Sequence, residues 1–297
     1  MGTLLCTIIV LSACGHGAAR TPFDGRAALA LIRTQLDFGP RIPGTDGALR
    51  CGDWIIATMR ARADTVIVQS WTHTTAQGKQ LPLRNILARY RPSETSRVLY
   101  VTHWDTRPVS DEATDPAERR LPVPGANDGA SGTALLMELG AVLAKTPPAY
   151  GVDLLFVDGE DYGTFTPERD VLLGSTYFAS HLPSADYRPI FGILWDMIGD
   201  RDLQIYEEGN SLQQAPEVVQ RVWHEAGDLG YADYFVPRYK YTVTDDHVPL
   251  LKAGLRVIDV IDFDYQGIHH TPRDTFDKVS AASLQIVGDV ATALVTQ

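Results

Sequence analysis

One stretch constrains this chain more than any other: Val152-Asp153-Leu154-Leu155-Phe156-Val157-Asp158-Gly159-Glu160-Asp161. Its apolar run has the length of a buried strand, with Asp153 near the start. Its tip gathers the carboxylates of Asp158, Glu160 and Asp161. Like charges this close repel and raise one another's pKa unless a cation or a proton lies between them. A bound metal ion is the simplest way to keep them ionised. A solvated acidic turn is the plain alternative, and the rest of the chain weighs against it.

Two other apolar runs end the same way. Val98-Leu99-Tyr100-Val101-Thr102 leads into His103-Trp104-Asp105, and Phe191-Gly192-Ile193-Leu194-Trp195 leads into Asp196. In open α/β sheets, ligands bind outside the carboxyl ends of the strands. If the three runs pair in parallel, their tips meet at one site. Gly125-Ala126-Asn127-Asp128-Gly129-Ala130-Ser131-Gly132 is a Gly-rich turn opening a helix. Alone it reads as an N-cap by Asp128 or Ser131. It is not a phosphate loop, since no Gly-Lys-Ser/Thr follows. Ile268-His269-His270-Thr271-Pro272-Arg273-Asp274-Thr275 is a loop before the last helical stretch. His103, Asp128, Asp161, Asp196 and His270 are ligand types that zinc accepts. Glu160, beside Asp161, stands where a general base would act.

Helical spacing over 26–36, 46–62, 131–145, 174–181, 215–229 and 280–295 alternates with strand-like runs. Those runs cover 65–71, 85–90, 98–102, 152–157, 191–195 and 257–261, with 203–206 expected at a sheet edge. The alternation predicts a single α/β domain over 26–297. Its centre is a mixed, mostly parallel twisted sheet flanked by helices. Phe38-Gly39-Pro40-Arg41-Ile42-Pro43-Gly44-Thr45 is a loop, and Thr45 or Asp46 caps the second helix. A polar, proline-bearing insert spans 107–124.

The charge balance is acidic, 37 Asp+Glu against 26 Lys+Arg, which argues against nucleic acid as a partner. Residues 4–13 are apolar but too short to span a bilayer, and fit the core of a secretion signal. Leu11-Ser12-Ala13-Cys14-Gly15 resembles a bacterial lipoprotein signal, although no Lys or Arg precedes the apolar run. Residues 1–14 are therefore expected to be a signal segment and 15–25 a tether. The expectation is an exported periplasmic or cell-envelope lipoprotein, monomeric, touching the membrane only through an anchor at Cys14. With Cys6 and Cys14 in that segment, Cys51 has no internal disulfide partner and reads as structural.

The motifs fall in a telling order: His103-x-Asp105, Gly125-Ala126-x-Asp128-x-Ala130-Ser131-Gly132, Glu160-Asp161, Asp196-Met197-Ile198-Gly199, His270-Thr271-Pro272-x-Asp274-Thr275. This order resembles the zinc-dependent aminopeptidase and glutaminyl cyclase superfamily, from about Phe38 to the end. The 38–45 loop, Thr244-Asp245-Asp246-His247-Val248-Pro249-Leu250-Leu251 and His103-Trp104-Asp105-Thr106-Arg107-Pro108 look more like the cyclase branch. The resemblance implies one zinc on Asp128, Asp161 and His270 in a cyclase. His103 and Asp196 complete a second metal position in an aminopeptidase. Glu160 matches the acid/base, and Asp196 and Asp246 match a carboxylate network with it. Asp161 stands where the cyclases usually carry Glu, and His269 where a pocket Trp is usual; Phe165 is a candidate pocket aromatic.

Three readings follow. The first is a cyclase that turns the N-terminal Gln of a peptide into pyroglutamate with release of ammonia. The second is a two-zinc aminopeptidase acting on peptides with a free N-terminus. The third is a non-catalytic binding lipoprotein, against which the intact Glu160 speaks, because a binder has no need of a base.

Overall fold

The structure is a computed structural model that describes residues 21–296. The expected signal segment, with Cys6 and Cys14, lies outside the described residues. The tether does not extend to residue 25. Phe23 is buried, Thr21 donates to Asp289, and Asp24 caps α1 (Gly25–Asp37) through the Arg26 and Ala27 amides. Among the described residues no helix is long and apolar enough to cross a membrane.

The chain continues through α2 (Asp46–Arg60), β1 (Thr65–Thr74), β2 (Gln80–Tyr90), β3 (Arg97–His103), α3 (Ala130–Lys145) and β4 (Gly151–Val157). A short hairpin follows, β5 (Thr164–Phe165) and β6 (Glu168–Arg169), then α4 (Leu173–Ser180) and β7 (Phe191–Asp196). Next come β8 (Ile205–Glu208), α5 (Gly209–Gln214), α6 (Pro216–Asp228) and β9 (Phe235–Tyr241). The chain closes with α7 (His247–Lys252), β10 (Val257–Ile261) and α8 (Ala281–Thr296). The main sheet has the order β1-β2-β4-β3-β7-β10. β4, β3, β7 and β10 are parallel, and β1 and β2 join antiparallel at one edge. The predicted mixed, mostly parallel sheet is present. The 203–206 run differs from expectation: β8 pairs with β9 in a separate small sheet.

Both faces of the sheet are covered, which is why its central strands are continuously apolar. Val98 and Tyr100 of β3 point into the larger core, packed by α1, α3, α6 and α8. Leu99 and Val101 point into a smaller core with Phe178 of α4 and Leu250 of α7. A fully buried Leu, Val or Phe contributes roughly 1.5–3 kcal/mol, so these strands are rigid footing for whatever sits at their tips. The tips are level. His103 pairs with Val157, Ile261 pairs with Asp196, and the Val101–Leu194 register brings His103 beside Asp196. Asp153, at the far end of β4, is fully buried against Arg97, Arg89 and the Tyr187 hydroxyl. It is a structural ion network.

Candidate active site

The Gly-rich turn before α3 does not use a side chain as its cap. Gly129 is the N-cap at φ +86°, and neither Asp128 nor Ser131 caps the helix. A Cβ on Gly129 would sit 2.5 Å from Asp105 O, and one on Gly132 would run into Thr102 Oγ1 and Trp195 O. Glycine therefore lets α3 press against the strand tips, and Asp128 is left free to face them. Asp274 accepts the Asn127 and Asp128 amides at 2.8 and 3.1 Å, and takes the Tyr265 hydroxyl at 3.0 Å. The buried Arg41, from the 38–45 loop, fixes the same turn through the carbonyls of Trp104, Pro124 and Gly125.

The tip of β4 is held in the same manner. Asp105 accepts the Glu160 amide at 3.1 Å on one oxygen and the Asp161 amide at 3.2 Å on the other. Each key turn is thus fastened by a buried carboxylate that accepts two consecutive amides. Arg107, from the polar insert, donates to Asp161 Oδ1 at 2.6 Å and grips Asp111 with its other nitrogens.

The ligand candidates converge. His270 Nε2 lies 3.6 Å from Asp128 Oδ2 and 3.3 Å from Asp161 Oδ1. His103 Nε2 lies 3.1 Å from Asp128 Oδ1 and 3.1 Å from Asp196 Oδ1. Two trios result, Asp128–Asp161–His270 and His103–Asp128–Asp196, sharing Asp128, with donor atoms in each trio within 4.8 Å of one another. Asp128 Oδ2 and Asp161 Oδ2 are buried and accept no hydrogen bond. A buried carboxylate oxygen without a partner is costly, and a divalent cation satisfies it. All-N/O donor sets of His and carboxylate suit zinc, so these two clusters fit it.

The electrostatics agree. Burial pushes the Glu160 pKa well up, reinforced by the charges of Asp161, Asp245 and Asp246. Burial and the charge of Asp128 raise that of Asp161. Burial, then the neighbouring His269, drives His270 well below its ordinary value, which keeps the ring neutral as a ligand must be. Burial opposes a charge on His103, but Asp196, Asp105 and Asp128 outweigh it and raise its pKa.

A cavity of about 500 Å³ opens onto this centre. Its lining includes the polar Asp128, Glu160, Asp196, Asp245 and His270 and the apolar Phe165, Met197, Ile261 and Phe263. Phe165 faces His270 with ring centroids 6.5 Å apart, and His269 stacks on His270 at 3.6 Å. Both expected pocket residues therefore lie at the cavity. Asp246 does not. It is fully buried, off the cavity wall, and accepts from Ser175 Oγ at 2.5 Å. The wall carboxylate is its neighbour Asp245, whose pKa is raised by burial and then by the charge of Asp196.

Residues 85–295 match the profile of Peptidase family M28. The chain belongs to that family. It is similar to a Zn-dependent exopeptidase from Parabacteroides distasonis, 32% identical with TM-score 0.90, over 94% of this chain and 100% of that one. It is also similar to a glutaminyl cyclase from Porphyromonas gingivalis, 37% identical with TM-score 0.88, over 92% of this chain and 97% of that one. A probable zinc metalloprotease from Leptosphaeria maculans is 29% identical over 269 residues, 82% of this chain. The chain spans 59% of the length of that curated relative. Within the M28 fold, the residues to which sequence reasoning gave no role are Asp245, Arg41 and Arg107, with the turn-fastening Asp105 and Asp274. The resemblance pointed to Asp246 and gave its neighbour Asp245 no role, and the two arginines sit in loops that carry no periodic signal.

Proposed function

We propose that this M28 chain is a zinc-dependent enzyme acting at the N-terminal residue of peptides, and that it closes N-terminal Gln to pyroglutamate. The observation that carries this reading is the cavity wall. Glu160, Asp196 and Asp245 line it together with Asp128 and His270, and Phe165, Met197, Ile261 and Phe263 add apolar surface. In the reaction the α-amine nitrogen bonds to the side-chain amide carbon, and the bond from that carbon to its amide nitrogen breaks. One proton must travel from the amine to the departing ammonia. Glu160 takes and returns it. Asp196 and Asp245 hold the amine in place, and Asp246, fixed by the Ser175 hydroxyl, neighbours Asp245 in the chain. Asp128, Asp161 and His270 would hold zinc, which when bound supplies Lewis acidity towards the amide oxygen. The likeness to the P. gingivalis glutaminyl cyclase, with nearly full coverage of both chains, supports the same reading.

A specific observation favours a second reading, a two-metal aminopeptidase. The His103–Asp128–Asp196 trio shares Asp128 with the first, as a bridged pair of ions would require. Glu160 would then take a proton from the water that attacks the first peptide bond. The test uses purified protein with its metal content measured. It is given a Gln-initiated peptide and an aminoacyl-chromophore amide. Ammonia release without chain shortening, at one zinc per chain, is the expected result. Free amino acid at two metals per chain overturns the cyclase reading in favour of the peptidase.

A further inference from the structure

The loop that starts at Glu160 and Asp161 leaves the metal centre, rises over the cavity and returns. Leu172 N donates to Glu160 O at 2.9 Å and Leu173 N to Gly159 O at 3.1 Å, so the loop closes on the turn that carries Glu160. Its upper part is the β5–β6 hairpin, which bears Thr164, Phe165 and Thr166 on the cavity wall. Gly163 packs against the returning strand so tightly that a Cβ would run into the carbonyls of Arg169 and Asp170. The hairpin is exposed and only two residues long in each strand, so its own hydrogen bonds are poor support.

What holds it comes from elsewhere. Asp170 Oδ1 contacts His73 Nε2 of β1 at 2.8 Å, and Asp170 Oδ2 accepts the Ala76 amide at 3.0 Å. Lys79 Nζ donates to Tyr162 Oη at 3.0 Å. Asp170 makes these contacts from a left-handed backbone, φ +55°, a conformation that Asp adopts more readily than most residues. Both ends of the hairpin are thus fastened to one structure, the end of β1 and the turn that follows it. No atom of that turn lines the cavity.

We propose that His73, with Asp170, is a positioning residue for substrate affinity: the clasp holds Phe165 over His270 and so shapes the apolar wall of the cavity. It acts through Phe165 and takes no part in proton transfer. The inference rests on the cavity being the substrate site, as argued above, but not on which of the two reactions takes place there.

The test compares His73→Ala, Phe165→Ala and the double variant, using whichever substrate the wild-type protein turns over. His73→Ala is expected to raise KM roughly 3- to 10-fold, the scale of one lost aromatic contact, with kcat within about twofold. The double variant should be no worse than Phe165→Ala alone, because the clasp works through that ring. His73→Gln, which keeps a donor, should restore part of the loss. Hydrogen exchange at residues 162–170 should quicken in His73→Ala while that of β3 and β4 stays unchanged. The proposal is overturned if exchange at 162–170 is unaltered. It also fails if kcat falls with KM unchanged, or if the two single effects multiply. Should neither test substrate react, the cyclase and peptidase readings fail. The clasp is then judged by the exchange result and by the dissociation constant of the Gln-initiated peptide for each zinc-loaded variant, where an unchanged constant in His73→Ala overturns it.

Discussion

Asp105→Asn tests how the site is built. Asp105 is fully buried, and its two oxygens accept the amides of Glu160, the proposed proton carrier, and of Asp161, a proposed zinc ligand, at 3.1 and 3.2 Å. Asparagine keeps the shape and one acceptor, but turns an N–H₂ group towards the other amide. One buried backbone N–H is then left unpaired, at a cost of about 1–3 kcal/mol. At about 2–4 °C per kcal/mol for a chain of this size, the metal-free protein should melt roughly 2–12 °C lower. Zinc affinity should fall about 10- to 100-fold, as is typical when a group supporting a ligand is lost. Melting is measured with excess chelator, so that bound metal does not mask the change, and affinity by competition with a chelator of known strength. A lower melting point with unchanged zinc affinity would show that Asp105 serves the fold alone. No change in either would refute the reasoning.

Glu160→Gln should abolish turnover while zinc remains bound; loss of zinc with retained turnover contradicts the role given to Glu160. Asp245→Asn should raise KM for the amine-bearing substrate well beyond Asp246→Asn, and the reverse order in steady-state kinetics would return the wall position to Asp246. Burial works against the charge on Glu208, but contact with the buried His247 outweighs it and lowers its pKa from 4.5 to about 2. That contribution to stability is complete above the unfolded value and is lost as the pH falls from about 5 towards 2. Glu208→Gln should therefore flatten the stability curve over that window in urea titrations, and an unchanged slope counts against the pair. Cys51 is fully buried and its thiol is pushed up to about 12, so alkylation mapped by mass spectrometry should reach it only after unfolding.

The central sheet was legible because its strands are long, apolar and capped by charge. Periodicity finds such strands, and parallel pairing follows from the helices between them. The convergence of His103, Asp161 and Asp196 was legible for the same reason: each lies at or just past the end of a run whose direction the fold class fixes. Short elements escaped. α5 and α7 have six residues each, too few for a helical period to declare itself. β9 is mostly exposed and carries Pro237 and Lys240, which hide a strand. The resemblance pointed to Asp246; that Asp245 is the one on the cavity wall was not legible, because neighbours at a helix start point about 100° apart and the sequence does not say which direction is the cavity. Phe23 was hidden in a small, polar stretch whose packing against α8 depends on the far end of the chain.

The most direct measurement is X-ray diffraction at the zinc absorption edge from crystals grown with zinc. The account predicts an anomalous peak bonded to Asp128, Asp161 and His270 at about 2 Å from each donor. Zinc-saturated crystals with those side chains ordered and no peak among them would contradict it.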